Sequence, residues 1–428
     1  MRIIDYRVTP IAFSDPPVRA AFGLHAPYAL RTIVELVADD GTTGVSETHG
    51  GAAVVADLKA VGDLIVGRDP FQLAALQAAI WPGSNATPIG SALWEGRLSS
   101  PARTFGAIEV ACLDMIGKAV ERPVCDLLGG QVREQVPFSA YLFYKHAGAG
   151  GPWAFDNDPA ATDGWPTARQ REALSAESLV AQAQAMVSAF GFKSLKLKAG
   201  VLPPDEELRT MELLREAFGP AVPLRIDPNT AWSLETSLRY GKRMEGLLEY
   251  YEDPVLGKAA MAELASAVDL PLATNMCCVS FEDLPETIRL GNVKIILGDH
   301  HFWGGLRASV ELARICRTWG IGLSMHSNSH MGISLAAMTH LAAAVPNLTY
   351  ACDTHYPWQA DELIVGGKLQ FADGSLAVPS GPGLGVELDH VALERMHQQY
   401  LAAGLSHRDD EAEMQKVEPG WKSKLPRW

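Results

Sequence analysis

Seven polar side chains able to do chemistry recur along the second half of this chain. Lys198, Asp227, Glu252, Asn275, Asp299, His326 and Asp353 each close a short apolar run, at intervals of 23 to 29 residues. Asp227, Glu252 and Asn275 all offer oxygen, the preference of hard cations such as Mg²⁺. Two carboxylates and an amide leave octahedral positions for water and for a substrate carboxylate. Each of the three also reads as strand-to-helix punctuation, as in Asp227-Pro228 and Glu252-Asp253-Pro254. Three in succession at matching positions favour a metal over three separate caps.

Lys196 and Lys198 stand two apart on a strand, so their side chains share a face. Inside a barrel, mutual repulsion and burial are expected to lower an amine pKa and make one of them a usable base. His326 and Asp299 close neighbouring strands, which brings a carboxylate within reach of an imidazole to orient it. His330 raises the thought of a zinc pair with His326, but Met325-His326 is still strand-like and no third soft ligand is near.

A strand of about five residues, a helix of about twelve and two short loops consume the observed spacing. The expected fold class is therefore α/β, a (β/α)8-type TIM barrel whose first strand is residues 136–143 and whose active site lies at the carboxyl ends of the strands. Lys198 and His326 then come from the second and seventh strands and flank the metal ligands. One base on each face of a bound carboxylate suits removal of the weakly acidic neighbouring proton, giving an enediolate. A hydroxyl on the next carbon would leave as water; without one, reprotonation gives an epimerase or racemase. A non-catalytic paralogue is a third reading, although such proteins usually lack a base or a ligand and none is missing here.

Residues 1–135 read as a separate α+β domain, with strands at 29–38 and 43–47 around the Asp40-Gly41 turn and a helix over 104–120. The barrel occupies 136–380, and 381–428 form a C-terminal segment with a helix at 389–403. The aperiodic stretch 147–167 follows the first barrel strand and is too long for an ordinary connection, as expected of a lid or a substrate-contacting loop. A second hairpin is expected over 369–378.

The 428 residues suit a barrel of about 250 plus additional structure. A composition 47% hydrophobic and 20% charged is that of a soluble globular enzyme, and a formal charge of −14 argues against nucleic acid and anionic membranes as partners. Six dispersed cysteines without zinc spacing fit reduced thiols. No signal peptide and no apolar stretch of about eighteen residues is read, so a cytoplasmic location is expected.

Several motifs resemble the enolase superfamily. GAIEVACLDMIGK from Gly106 and RPVCDLLGG from Arg122 resemble its capping-domain signature. Closer still is the similarity to the glucarate dehydratase subgroup. It runs through GFKSLKLKAGV from Gly191, DPNTAWSL from Asp227, ATNM from Ala273, DHHFW from Asp299, HSNSH from His326 and DTHYPWQ from Asp353. It ends in RDD from Arg408 and PGW from Pro419. The resemblance covers nearly the whole chain. It implies that residues 1–135 and 381–428 cap the barrel, and that the chain is a Mg²⁺-dependent acid-sugar dehydratase, with Mn²⁺ as a substitute. Lys198 and His326 would be the bases, Asp299 the partner of the histidine, Lys196 a contact to the substrate carboxylate, and Asn229 a neighbour of the metal. His25, Tyr141, His355 and Arg408 match positions that touch substrate. A small-molecule acid sugar, glucarate-like, is the expected partner, and a homo-oligomer the expected form. The stretch after Pro254 is shorter than in typical glucarate dehydratases, so the second metal carboxylate falls to Glu252. Asn328-Ser329 stands where those enzymes have two asparagines, and 147–167 does not resemble their loop.

Overall fold

The computed structural model describes residues 1–81 and 100–428. Its first sheet has the order β1 (Ile3–Ser14), β4 (Tyr28–Ala38), β5 (Thr43–His49), all antiparallel. The short pair β2 (Val18–Ala20) and β3 (Gly23–His25) lies between the first two in sequence. Alternation along β4 points Val34 and Leu36 toward helix Pro101–Ala119 and buries both. That helix begins where the Ser100 side chain accepts the Arg103 N–H, with proline in its first turn.

Eight parallel strands follow: β6 (Gln135–Phe143), β7 (Leu195–Lys198), β8 (Leu224–Asp227), β9 (Tyr250–Glu252), β10 (Leu272–Thr274), β11 (Ile295–Gly298), β12 (Gly322–Met325) and β13 (Cys352–Thr354). Neighbours in sequence pair in order from β6 to β12, and β13 pairs with β6. Between β12 and β13, Tyr350 N–H reaches Leu323 O at 3.2 Å and the Ser324 hydroxyl donates to Ala351 O at 2.9 Å, which closes the ring. Buried on both faces, these strands are mostly apolar, with buried polar exceptions at Ser139, Lys196, Arg225 and Ser324 and a run of polar groups at their carboxyl ends.

Among the described residues, each of the seven connections from β6 to β13 carries a helix of at least seven residues, and no helix follows β13 to complete a full (β/α)8 repeat. After β13 the chain makes only a 3-10 turn, Tyr356–Trp358, then the hairpin β14 (Phe371–Ala372) and β15 (Ser375–Ala377). β15 pairs antiparallel with the start of β6. The next helix, His390–Ala403, lies on β1 instead of on the barrel, with His397 Nδ1 at 2.7 Å from Pro10 O and Gln399 donating to Ala12 O at 3.0 Å. A further helix, Asp410–Val417, packs on β3 in a stretch whose polarity predicts none.

The first sheet's helix meets the barrel at a glycine contact. A Cβ on Gly106 would lie 2.8 Å from the Gly305 nitrogen, and one on Gly305 (φ +108°) would strike the Glu109 carboxylate. Glu109 accepts the N–H of Leu306 at 2.6 Å and of Arg307 at 3.3 Å, so one element caps the other's helix across the seam.

Candidate active site

Parallel register places the reactive side chains. Lys198 pairs with Asp227 across β7 and β8, and Tyr141 with Lys196 across β6 and β7. Lys198 Nζ lies 2.5 Å from Asp227 Oδ2. Lys196 is wholly buried, 2.5 Å from Glu252 Oε2, 2.8 Å from Asp353 Oδ2 and 3.8 Å from Asp227 Oδ2. The expectation that repulsion and burial lower the amine pKa fails for Lys196. Burial does disfavour its charge, but Asp353 and Glu252 outweigh burial and hold the ammonium well above its ordinary value. Burial keeps the Tyr141 phenol protonated, reinforced by Asp353, to which it donates at 2.5 Å.

Glu252 is held well above the usual carboxylate range by burial, against the pull of Lys196, whereas Asp227 is held below it because Lys198 and Lys196 outweigh its burial. Asn275 stands just past β10, where its N–H donates to Asp253 Oδ2 at 2.8 Å. Its Oδ1 is buried with no hydrogen-bond partner among the described residues, and neither Glu252 oxygen has a partner of good hydrogen-bond geometry. Orphaned oxygens at successive strand ends are what a hard cation would satisfy, so the donor set fits Mg²⁺. Asn229 (φ 48°) is buried beside them, its N–H bound to Asp227 Oδ1 at 3.0 Å. The turn after Lys198 is fixed by Glu207, whose carboxylate accepts the N–H groups of Gly200, Val201 and Leu202 at 2.8 to 3.0 Å.

Across the mouth, His326 Nδ1 is 2.9 Å from Asp299 Oδ2. Asp299 Oδ1 is 2.7 Å from His301 Nδ1 and accepts the His301 N–H at 2.9 Å. Despite burial, these histidines hold the carboxyl well below its ordinary range. An ionised carboxylate only accepts, so Nδ1 of His326 carries a hydrogen and the Nε2 edge of the ring is left to face away from Asp299. His330 Nε2 lies 3.9 Å from Asp299 and forms no pair with His326.

A third group joins the first sheet to β13. Asp15, wholly buried, lies 3.3 Å from His355 Nε2, 3.8 Å from Arg408 and 3.9 Å from His25. His355 in turn packs edge-on against Phe143, the strand neighbour of Lys198. Arg408 forks onto Asp410 at 2.6 Å and contacts His25 at 3.2 Å. Burial, then the Arg408 charge, hold His25 neutral, and the Lys198 charge acts in the same direction.

The segment 147–167, expected as a lid or a substrate-contacting loop, is tied to the turn after β13 at its end. Trp165 donates to Pro357 O at 2.7 Å and Arg169 to Trp358 O at 2.6 Å, and Trp358 in turn donates to Tyr141 O at 2.9 Å. Sequence reasoning overlooked Asp15, Glu207 and His301. The second histidine of Asp299-His300-His301 was a signal for the last of these; nothing in the sequence singled out the other two.

Residues 178–392 match the family described as enolase C-terminal domain-like, and residues 4–129 match the mandelate racemase / muconate lactonizing enzyme N-terminal domain. The chain belongs to the enolase superfamily. Within that superfamily it is 43% identical over its full length to a probable glucarate dehydratase of Streptomyces coelicolor, covering 99% of that protein. An enolase of Mycobacterium smegmatis crystallised with formate and acetate matches with a TM-score of 0.91 and 49% identity, covering 100% of this chain and 98% of that one. An enolase of Pseudomonas fluorescens with bound magnesium, potassium and tartrate matches with a TM-score of 0.90 and 47% identity, over 100% and 99% of the two chains. No helix among the described residues is long and apolar enough to cross a membrane.

Proposed function

We propose that this enolase-superfamily protein is a hydro-lyase that dehydrates an acid sugar, a glucarate-like diacid being the preferred class. The observation that carries the reading is the pairing of two opposed nitrogen bases, Lys198 and the Asp299-oriented His326, around the oxygen set Asp227, Glu252 and Asn275. Mg²⁺ held by those three residues, or Mn²⁺ in its stead, would draw electron density from a substrate carboxylate and acidify the adjacent C–H. The tartrate and magnesium carried by the Pseudomonas fluorescens relative support a hydroxy-diacid and that metal.

Lys196, cationic and fixed between Glu252 and Asp353, would contact the substrate carboxylate, with Asn229 beside it. His326 Nε2 or the Lys198 amine, according to the configuration of the α-carbon, removes the α-proton. The electron pair of that C–H bond forms a carbon–carbon double bond as the β-hydroxyl departs, and a proton from the opposed conjugate acid turns the leaving group into water. The enol then ketonises to a keto-deoxy acid. His25, Tyr141, His355 and Arg408 would contact the hydroxyls and far end of the substrate.

A panel of diacid and monoacid sugars incubated with Mg²⁺ and read for α-keto product tests the assignment. Keto product from a diacid is expected. Substrate returned inverted at the α-carbon, with no keto product, would replace the dehydratase with an epimerase.

A further inference from the structure

Behind Asp299 lies a chain of polar groups that ends in the first sheet. His301 uses Nδ1 on Asp299 Oδ1 at 2.7 Å, and its Nε2 lies 3.2 Å from Arg31 Nη2, 3.0 Å from Ser334 Oγ and 3.0 Å from Glu47 O. Arg31 on β4 donates to Glu47 on β5 at 2.8 Å. The Glu47 carboxylate then accepts the N–H of Met331 and of Ser334, both at 2.9 Å, at the start of helix Gly332–Ala344. Arg31 also donates to Asn328 O at 3.2 Å, two residues beyond His326. All of Arg31, Glu47, Asp299, His301 and Ser334 are buried.

The Asp299 carboxylate only accepts, so His301 Nδ1 donates to it, while His301 Nε2 on the far side of the ring faces the Arg31 guanidinium, the Ser334 hydroxyl and the Glu47 carbonyl. Asp299 thus accepts two imidazole N–H groups, one on each oxygen, and cannot turn away from His326 without losing His301. Asp299, His301 and His330 bring ligand atoms within 4.8 Å of one another, but a cation there would face the permanent charge of Arg31 and displace hydrogen bonds already made.

We propose that His301 is a positioning residue that locks the Asp299 carboxylate and thereby the Nδ1–H tautomer of His326, anchoring one of the two bases to the first sheet through Arg31 and Glu47. The inference rests on the two-base reading above for its kinetic consequence but not for its structural one.

Two substitutions separate the parts. In His301→Asn the amide nitrogen replaces Nδ1 and keeps the donor to Asp299. In His301→Gln the amide reaches the Nε2 position and abandons Asp299. Exchange of the α-proton with solvent deuterium is measured on the two α-epimers of a substrate acid, one facing each base. His301→Gln is expected to slow exchange on the His326 side by about 10- to 100-fold, the usual loss on removing such an outer partner, and to spare the Lys198 side. His301→Asn is expected to restore the rate. Equal losses on both sides, or no loss on either, would overturn the proposal. Nitrogen-15 spectra of the His326 ring without substrate give the second readout. The Nδ1–H form is expected in the wild type and in His301→Asn and a mixture in His301→Gln, while an unchanged ring in His301→Gln refutes the positioning role. A responsive ring in a protein that exchanges no acid sugar would remove the proposed function and leave the positioning role standing.

Discussion

The two flanks of the active site are built on different principles. The lysine flank is a knot of ion-pairing groups, two lysines among Asp227, Glu252 and Asp353, supplied entirely by barrel strands. The histidine flank is a line of oriented hydrogen bonds leaving the barrel for Arg31 and Glu47 in the first sheet. Strand register therefore suffices to build one base. The other needs two parts of the molecule to be docked correctly, and this asymmetry tells where each flank is vulnerable.

The largest expected effect tests whether the flanks act as separate bases. Lys198→Ala and His326→Asn should each lower turnover by about 10²- to 10⁴-fold, with each variant still exchanging the proton that faces the surviving base. Retained turnover in both would dissolve the comparison. Next comes stability in metal-free protein. Lys196→Met removes the buried partner that Glu252 and Asp353 share and should cost about 3 to 5 kcal/mol in urea unfolding, while His326→Asn should cost much less. Equal costs would mean that the lysine flank is no more charge-dependent than its counterpart.

The seam beside the histidine flank has its own signature. Burial raises the Glu109 carboxyl to about 7. The folded state then holds a proton that the unfolded chain releases near 4.5, so stability falls as pH rises from about 4.5 to 7. Glu109→Gln should lack that decline, gaining about 3 kcal/mol relative to wild type across the window. Parallel pH profiles for the two proteins would show that the seam does not bury this charge. The smallest effect sharpens the metal assignment: Asn275→Ala should weaken Mg²⁺ affinity by about tenfold in a calorimetric titration. An unchanged titration moves the third oxygen elsewhere.

The same asymmetry explains what could be read from the residues alone. Asp227, Glu252, Asp299, His326 and Asp353 were legible because each breaks an apolar run at a regular interval, and parallel pairing then makes neighbours of them. The alternation of Lys196 and Lys198 gave their shared face but not their surroundings, so the sign of the Lys196 shift was missed once three acids crowded around it. Asp15 gave no signal, because it matters only through His355, 340 residues away. His301 stood next to a recognised residue, yet its partner Arg31 lies 270 residues upstream. The tie at the end of 147–167 and the absent eighth helix depend on where the chain goes after β13, which no local pattern specifies.

That departure after β13 also separates in time the synthesis of β1 and of the helix that covers it. β1 leaves the ribosome near the beginning, but the helix that covers it, joined by contacts 387 residues apart, is translated only after the whole barrel. At 5–20 residues per second the delay is roughly 20 to 80 s. The nascent strand spends that interval with an apolar face lacking its final cover.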